Sequence, residues 1–127
     1  TGCVLGHLSV LSMCRHLDLP YCIIFEDDAY PRPDILKKFN EIKQLIPDDC
    51  GILKFGSSSY RGDIEIVNKA IYRMKTGTAF GSHAYFIRSE LYDVFIGVMS
   101  IANVPDVAMN TEYYADLDTE FVRLRLL

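Results

Sequence analysis

The sequence predicts a single α/β domain over residues 1–127, built as a three-layer sandwich around a mixed, partly parallel sheet. Three observations carry that prediction. Helical and strand periodicities alternate along the chain, which is the pattern of layered α/β folds. The short apolar run Tyr21-Cys22-Ile23-Ile24-Phe25 lacks the polar alternation of a half-exposed strand. The 127 residues leave room for one domain of ordinary size.

The elements come in order. From His7 to Leu17, the residues Val10, Met13, Cys14 and Leu17 recur at i, i+3, i+4 and i+7, one face of a helix that Pro20 ends. Tyr21-Cys22-Ile23-Ile24-Phe25 is a continuous apolar run, expected in the middle of the sheet with both faces covered. It stops at Glu26-Asp27-Asp28. Pro31-Arg32-Pro33 makes a stiff loop, and Pro33 suits the first turn of a helix. In that helix Ile35, Phe39, Ile42 and Ile46 share one side, while Lys37, Lys38, Glu41 and Gln44 face water. Beyond Pro47, Gly51-Ile52-Leu53-Lys54-Phe55-Gly56 reads as a second short strand.

Residues 56–62 have the composition of a loop. Ile64 to Val67 and Ala70 to Met74 are expected to pair as strands about an Asn68-Lys69 turn. A glycine-bearing loop over residues 76–81 precedes a strand from His83 to Ile87. Ser89 is the expected cap of a helix whose apolar stripe is Leu91, Val94, Phe95 and Val98. Pro105-Asp106 opens a short helix or loop, and Glu120 to Leu126 is a last strand.

Half of the residues are hydrophobic, with 7 Phe and 8 Tyr, so the chain can bury a core and is not largely disordered. Thirteen basic residues against 17 acidic ones give a net charge of -4, which argues against a nucleic-acid coat. Cys3, Cys14, Cys22 and Cys50 show neither a CxxC pair nor zinc-finger spacing and read as buried free thiols. No apolar run approaches the roughly 20 residues of a membrane span. The N-terminus lacks a signal-peptide pattern, so the expected location is cytoplasmic.

The strongest chemical signal is Glu26-Asp27-Asp28, three carboxylates directly after a buried strand. Carboxylates packed this closely repel unless a cation or solvent compensates them. In an open α/β sheet, ligands bind beyond the carboxyl ends of the strands. Hard oxygen ligands suit Mn2+ or Mg2+ held together with substrate phosphates, and the competing reading is an acidic surface loop. Lys54 interrupts an apolar strand, either to offset the carboxylates or contact phosphate, or as an edge residue that snorkels to water. His7 shares a helical face with Val10, Leu11 and Cys14, which suits a hydrogen-bonded core histidine as well as a catalytic one. His83 either completes a metal shell, meets an acceptor, or simply stands at a strand end.

Taken in order, Gly2-Cys3-x-x-Gly6-His7-Leu8, Tyr21-x-x-Ile24-x-Glu26-Asp27-Asp28, Ile52-Leu53-Lys54-Phe55-Gly56, Gly77-Thr78 and Ala84-Tyr85-x-Ile87 resemble glycosyltransferase family 25. That family includes lipopolysaccharide galactosyltransferases and collagen galactosyltransferase-like enzymes. The resemblance runs from Gly2 to about Asp106. It implies a GT-A-like fold, lipopolysaccharide biosynthesis as the setting, and inverting transfer of a hexose from a donor such as UDP-galactose to a saccharide acceptor. By position, Glu26-Asp27-Asp28 matches the family's acidic metal- and nucleotide-binding motif, with Asp28 and then Asp27 reaching the metal. Asp106, in Pro105-Asp106-Val107-Ala108, is the implied general base, in competition with a role capping the following turn. The resemblance also adds weight to a catalytic His7.

Two departures shape the expectations. Family members carry a strand and helix for the nucleotide base ahead of the Gly-Cys segment, so a truncated GT-A-like sheet with an exposed edge is expected, and with it a homodimer or a fragment of a longer enzyme. Gly6 also stands where the family usually has Ser. The alternative function is a non-catalytic remnant that binds a saccharide or partner protein. A phosphatase or nuclease is a third reading, for which a second carboxylate cluster is missing.

Overall fold

The computed structural model describes residues 2–27, 29–55, 59–61, 63–74, 78–80, 84–102, 113–115 and 120–121; side chains are described for 5–27, 29, 31–55, 63–73, 84–97 and 113–115. The expected α/β class is the observed one. Helix α1 (Gly2–His16) leads into β1 (Tyr21–Phe25) and the short β2 (Ala29–Tyr30). Helix α2 (Ile35–Ile42) runs on into a 3-10 turn, Lys43–Leu45, before β3 (Ile52–Lys54). Then come β4 (Ser59–Arg61), β5 (Ile64–Ile66), β6 (Ile71–Met74), β7 (Thr78–Phe80) and β8 (Ala84–Arg88). A 3-10 turn, Ser89–Leu91, opens α3 (Tyr92–Ala102), and β9 (Tyr113–Ala115) and β10 (Glu120–Phe121) complete the order.

Six strands form one sheet in the order β1-β8-β3-β9-β6-β5, and the β3–β9 pair is parallel while the other neighbours are antiparallel. Successive side chains on a strand point to opposite faces, so each strand feeds two cores. On one side Leu53, Phe55, Ala84, Phe86, Ile71 and Ala115 pack against Ile35 and Phe39 of α2. On the other, Ile24, Ile52, Tyr85 and Ile87 pack against Leu11 and Cys14 of α1 and against Tyr92 and Phe95 of α3. The helices therefore sandwich the sheet, which is the predicted layering and is compatible with a GT-A-like arrangement.

Several local expectations change. β1 is covered on both faces but stands at one end of the sheet rather than in its middle. Residues 59–61, expected in a loop, pair antiparallel with 78–80, so two expected loops supply a short ladder. Ser89 does not cap the helix: Arg88 precedes the 3-10 turn without a side-chain cap, and the Ser89 N–H donates to the Pro20 carbonyl at 2.9 Å. Pro33 lies in the turn before α2, with Asp34 at the N-cap. The hairpin of β5 and β6 is as predicted, and Asn68 builds its turn by accepting from the Ala70 and Ile71 N–H groups at 2.9 Å each.

The end of α1 sets the direction in which β1 leaves it. The Leu19 N–H donates to the Cys14 carbonyl and the Asp18 N–H to the Arg15 carbonyl, both at 3.1 Å, which closes the helix in a Schellman motif. Asp18 supplies the left-handed residue, with φ of 57°. The chain then turns directly into β1, so α1 lies back along the strand.

Candidate active site

The carboxyl end of β1 delivers Glu26, and the Ala29 N–H donates to the Glu26 carbonyl at 3.0 Å, closing a tight turn into β2. Above it, α1 presents His7, 4% exposed. The His7 Nε2 meets Glu26 Oε1 at 3.1 Å, and its Nδ1 meets the Tyr85 hydroxyl at 2.6 Å. The Tyr85 ring lies nearly parallel to the imidazole, with centroids 5.6 Å apart and 20° between planes. A carboxylate, an imidazole and a phenol thus form one hydrogen-bonded array across α1, β1 and β8.

An ionised carboxylate only accepts hydrogen bonds, so His7 donates from Nε2. In the neutral imidazole Nδ1 is then the acceptor, and the Tyr85 O–H donates to it. Both ring nitrogens are used within the fold, which limits what else His7 can do. It can hold and polarise Glu26. It does not offer an open nitrogen to a substrate.

Lys54 lies next to this array. The strand register places Lys54 opposite Tyr85 of β8 and opposite Tyr114 of β9, and Tyr114 opposite Tyr72. Residues opposite each other share a face, so Ile24, Tyr85, Lys54, Tyr114 and Tyr72 make one row across the sheet. Lys54 is 0% exposed, in a strand with neighbours on both sides. The edge-strand reading, with an ammonium reaching water, does not hold. Tyr114 is also fully covered and stacks on Tyr72 at 5.5 Å, and burial raises its hydroxyl pKa.

Asp27 is exposed beside Glu26. Asp28, His83 and Asp106 lie outside the described residues, so their expected roles have no geometry here. Among the described residues, no three His, Cys, Asp or Glu side chains converge on a metal position. The donor chemistry at Glu26 and Asp27 suits a hard divalent cation, and one Glu26 oxygen is committed to His7. A groove of about 450 Å³ opens between α2 and the β5–β6 hairpin, and none of the candidate residues lines it.

The described cysteines stay apart from this chemistry. Cys14 and Cys50 are buried and Cys22 half-buried, all as free thiols. Burial first, and then a hydrogen bond with Cys14, push the Cys22 thiol up to about 12. Burial and the Cys22 contact raise the Tyr92 hydroxyl as well. Such thiols are poor nucleophiles, in keeping with a packing role.

Residues 1–109 match the family described as glycosyltransferase family 25 (LPS biosynthesis protein). The chain belongs to glycosyltransferase family 25. The match spans every candidate residue named from the sequence, from His7 to Asp106. A comparison with curated proteins gives no match. Among the described residues of this family 25 chain, no helix is long and apolar enough to cross a membrane.

Sequence reading missed two things about the site. It treated His7 and Glu26 separately, and it gave Tyr85 no role. The signal for the first was present: α1 and β1 are joined by a short turn, so residues at matching heights on the two elements must meet.

Proposed function

We propose that this family 25 chain binds a nucleotide-sugar donor at Glu26-Asp27-Asp28 and transfers its hexose, with inversion, to a saccharide acceptor of the lipopolysaccharide type. The observation that carries the reading is Glu26, fixed at the carboxyl end of β1 by a buried histidine, in a chain of a glycosyltransferase family. A carboxylate held this way is preorganised, and preorganised polar groups cost little reorganisation when a ligand arrives.

In this reading Asp28 and Asp27 hold Mn2+ or Mg2+, with His83 as a further candidate ligand. The ion, when bound, supplies charge neutralisation for the departing diphosphate. Glu26, oriented by His7, contacts the nucleotide. Lys54, buried two strands further in, offsets the negative charge of the turn. Asp106 accepts the proton of the acceptor hydroxyl as its oxygen bonds to the anomeric carbon and the bond to the diphosphate breaks. A single displacement of this kind inverts the anomeric centre.

The test is a thermal melt with UDP, with and without Mn2+, on the wild type and on Asp28→Asn. A ligand at about 100 times its Kd stabilises the fold by about 2.7 kcal/mol. Stabilisation that needs both UDP and metal and disappears in Asp28→Asn supports the donor site, and UDP-galactose turnover then identifies the sugar. A wild type indifferent to UDP and Mn2+ overturns it in favour of a non-catalytic saccharide- or protein-binding module.

A further inference from the structure

The array around His7 has a direction, and that direction depends on a residue outside the acidic turn. A buried neutral imidazole carries one N–H and one bare nitrogen, and its surroundings decide which is which. At His7 the two sides make different demands. The Glu26 carboxylate at 3.1 Å calls for a donor, and the Tyr85 hydroxyl at 2.6 Å is free in chemical terms to give or accept a hydrogen bond. In the neutral ring, Nε2 keeps the hydrogen that Glu26 needs only when the Tyr85 O–H donates its hydrogen bond to Nδ1.

The geometry points to Tyr85 as a positioning residue for Glu26, acting through His7. Tyr85 is 0% exposed in β8, which is flanked by β1 and β3, and its ring packs on the imidazole and, at 6.3 Å, on Phe95 of α3. The phenol therefore has little freedom to move. It sets the imidazole tautomer and ring plane, and the imidazole sets the carboxylate. Partners of this kind, one step behind the group that meets the ligand, commonly tune it by fixing tautomer and orientation. The hydrogen-bond assignment stands on the geometry alone, and its consequence for the donor rests on the proposed nucleotide-sugar site.

Two measurements on the full chain test it. The first is the two-bond 1H–15N spectrum of the histidine rings near neutral pH. The Nε2–H tautomer of His7 is expected in the wild type, and a mixed or reversed tautomer in Tyr85→Phe. Phe95→Leu, which loosens the packing around the Tyr85 ring and leaves the hydroxyl, is expected to keep the wild-type tautomer. A Tyr85→Phe spectrum unchanged from wild type, or an Nδ1–H tautomer or doubly protonated ring in the wild type, overturns the assignment.

The second is the affinity for UDP with Mn2+ in Tyr85→Phe, Glu26→Gln and the double variant. Losing one hydrogen bond in the array is expected to weaken binding about threefold to tenfold in the wild-type background. Little further loss is expected once Glu26 is already Gln. The same loss in both backgrounds overturns the positioning role, because a merely structural role is indifferent to Glu26. A wild type that binds no UDP refutes the donor reading instead, and the spectrum then decides the Tyr85 assignment by itself.

Discussion

His7 of α1 and Glu26 at the end of β1 meet at 3.1 Å although 19 residues separate them in the chain. The contact results from helix and strand dimensions. From His7 to the end of α1 at His16 the helix rises about 14 Å, and from Tyr21 to Glu26 the strand climbs about 17 Å. A tight turn joins the two elements, so the residues arrive at similar heights. The consequence for stability is direct. His7→Ala opens a small cavity and removes a partner from both the Glu26 carboxylate and the Tyr85 hydroxyl. We expect a loss of about 2–3 kcal/mol in urea unfolding. Adding Tyr85→Phe to that variant should cost less than Tyr85→Phe does alone, since its hydroxyl no longer has His7 to serve. Strict additivity of the two losses would show that the residues do not act as a unit.

The same dimensions explain how much of the fold was legible in the sequence. α1, β1, α2, β3 and the β5–β6 hairpin were visible because apolar periodicity and turn chemistry are local. The phase of α1 was not. The apolar count Val10, Met13, Cys14 and Leu17 put Met13 and Leu17 on the inner face, and both are exposed, at 55% and 57%. The inner face is instead the one that His7 shares with Leu11 and Cys14, turned toward Tyr85 and Glu26. β9 escaped notice because Tyr113–Ala115 is three residues long, with polar neighbours on both sides. Its place between β3 and β6 comes from long-range pairing that no local pattern encodes. Lys54 misled for the same reason: its strand is central only because β9 covers the side that β8 leaves open.

Alkaline conditions should weaken the fold through Cys22. Burial raises its thiol from 9.0 to about 12, so the folded state keeps a proton that the unfolded chain gives up. Between those values the unfolded state binds fewer protons, and stability must fall as pH rises. Below about pH 9 both states are protonated and this contribution is constant. Cys22→Ala removes one titrating group from that window. Urea midpoints measured from about pH 8 to 11 should therefore decline less steeply in Cys22→Ala than in the wild type. Parallel declines would mean that the thiol does not titrate as its burial requires. Tyr92, raised by burial in the same cluster, adds to the decline at the upper end in both proteins.

Asp18 is a place where the fold tolerates local strain. Its φ of 57° lies in the left-handed region, where a Cβ is unfavourable and glycine is at ease. The Schellman motif that it completes is made by backbone groups, so a substitution there leaves the hydrogen bonds of the helix end in place. Asp18→Gly should stabilise the protein by about 0.5 kcal/mol, a gain reduced by the greater freedom of glycine in the unfolded chain. Asp18→Val should cost more than about 1 kcal/mol, since a β-branched residue fits that region worst. Equal stabilities for the Gly and Val variants would contradict a left-handed residue at this position.

Glu26 and Asp27 are adjacent carboxylates that the fold treats differently, and their substitutions should separate stability from binding. Glu26 is 20% exposed and accepts from His7, so Glu26→Gln changes a partly buried interaction. It should lower stability by about 1 kcal/mol and also weaken UDP–Mn2+ binding, because the imidazole then faces an amide that can donate as well as accept. Asp27 is exposed. Asp27→Asn should leave the unfolding free energy within about 0.5 kcal/mol of wild type while still weakening metal-dependent UDP binding. Urea unfolding and UDP–Mn2+ titration of both variants, with EDTA to strip the ion, resolve the two effects. If Asp27→Asn binds UDP and metal like the wild type, the metal reading loses one of its two leading ligands. If EDTA leaves UDP binding intact, it loses the ion itself, and the turn is then a structural acidic loop held by His7.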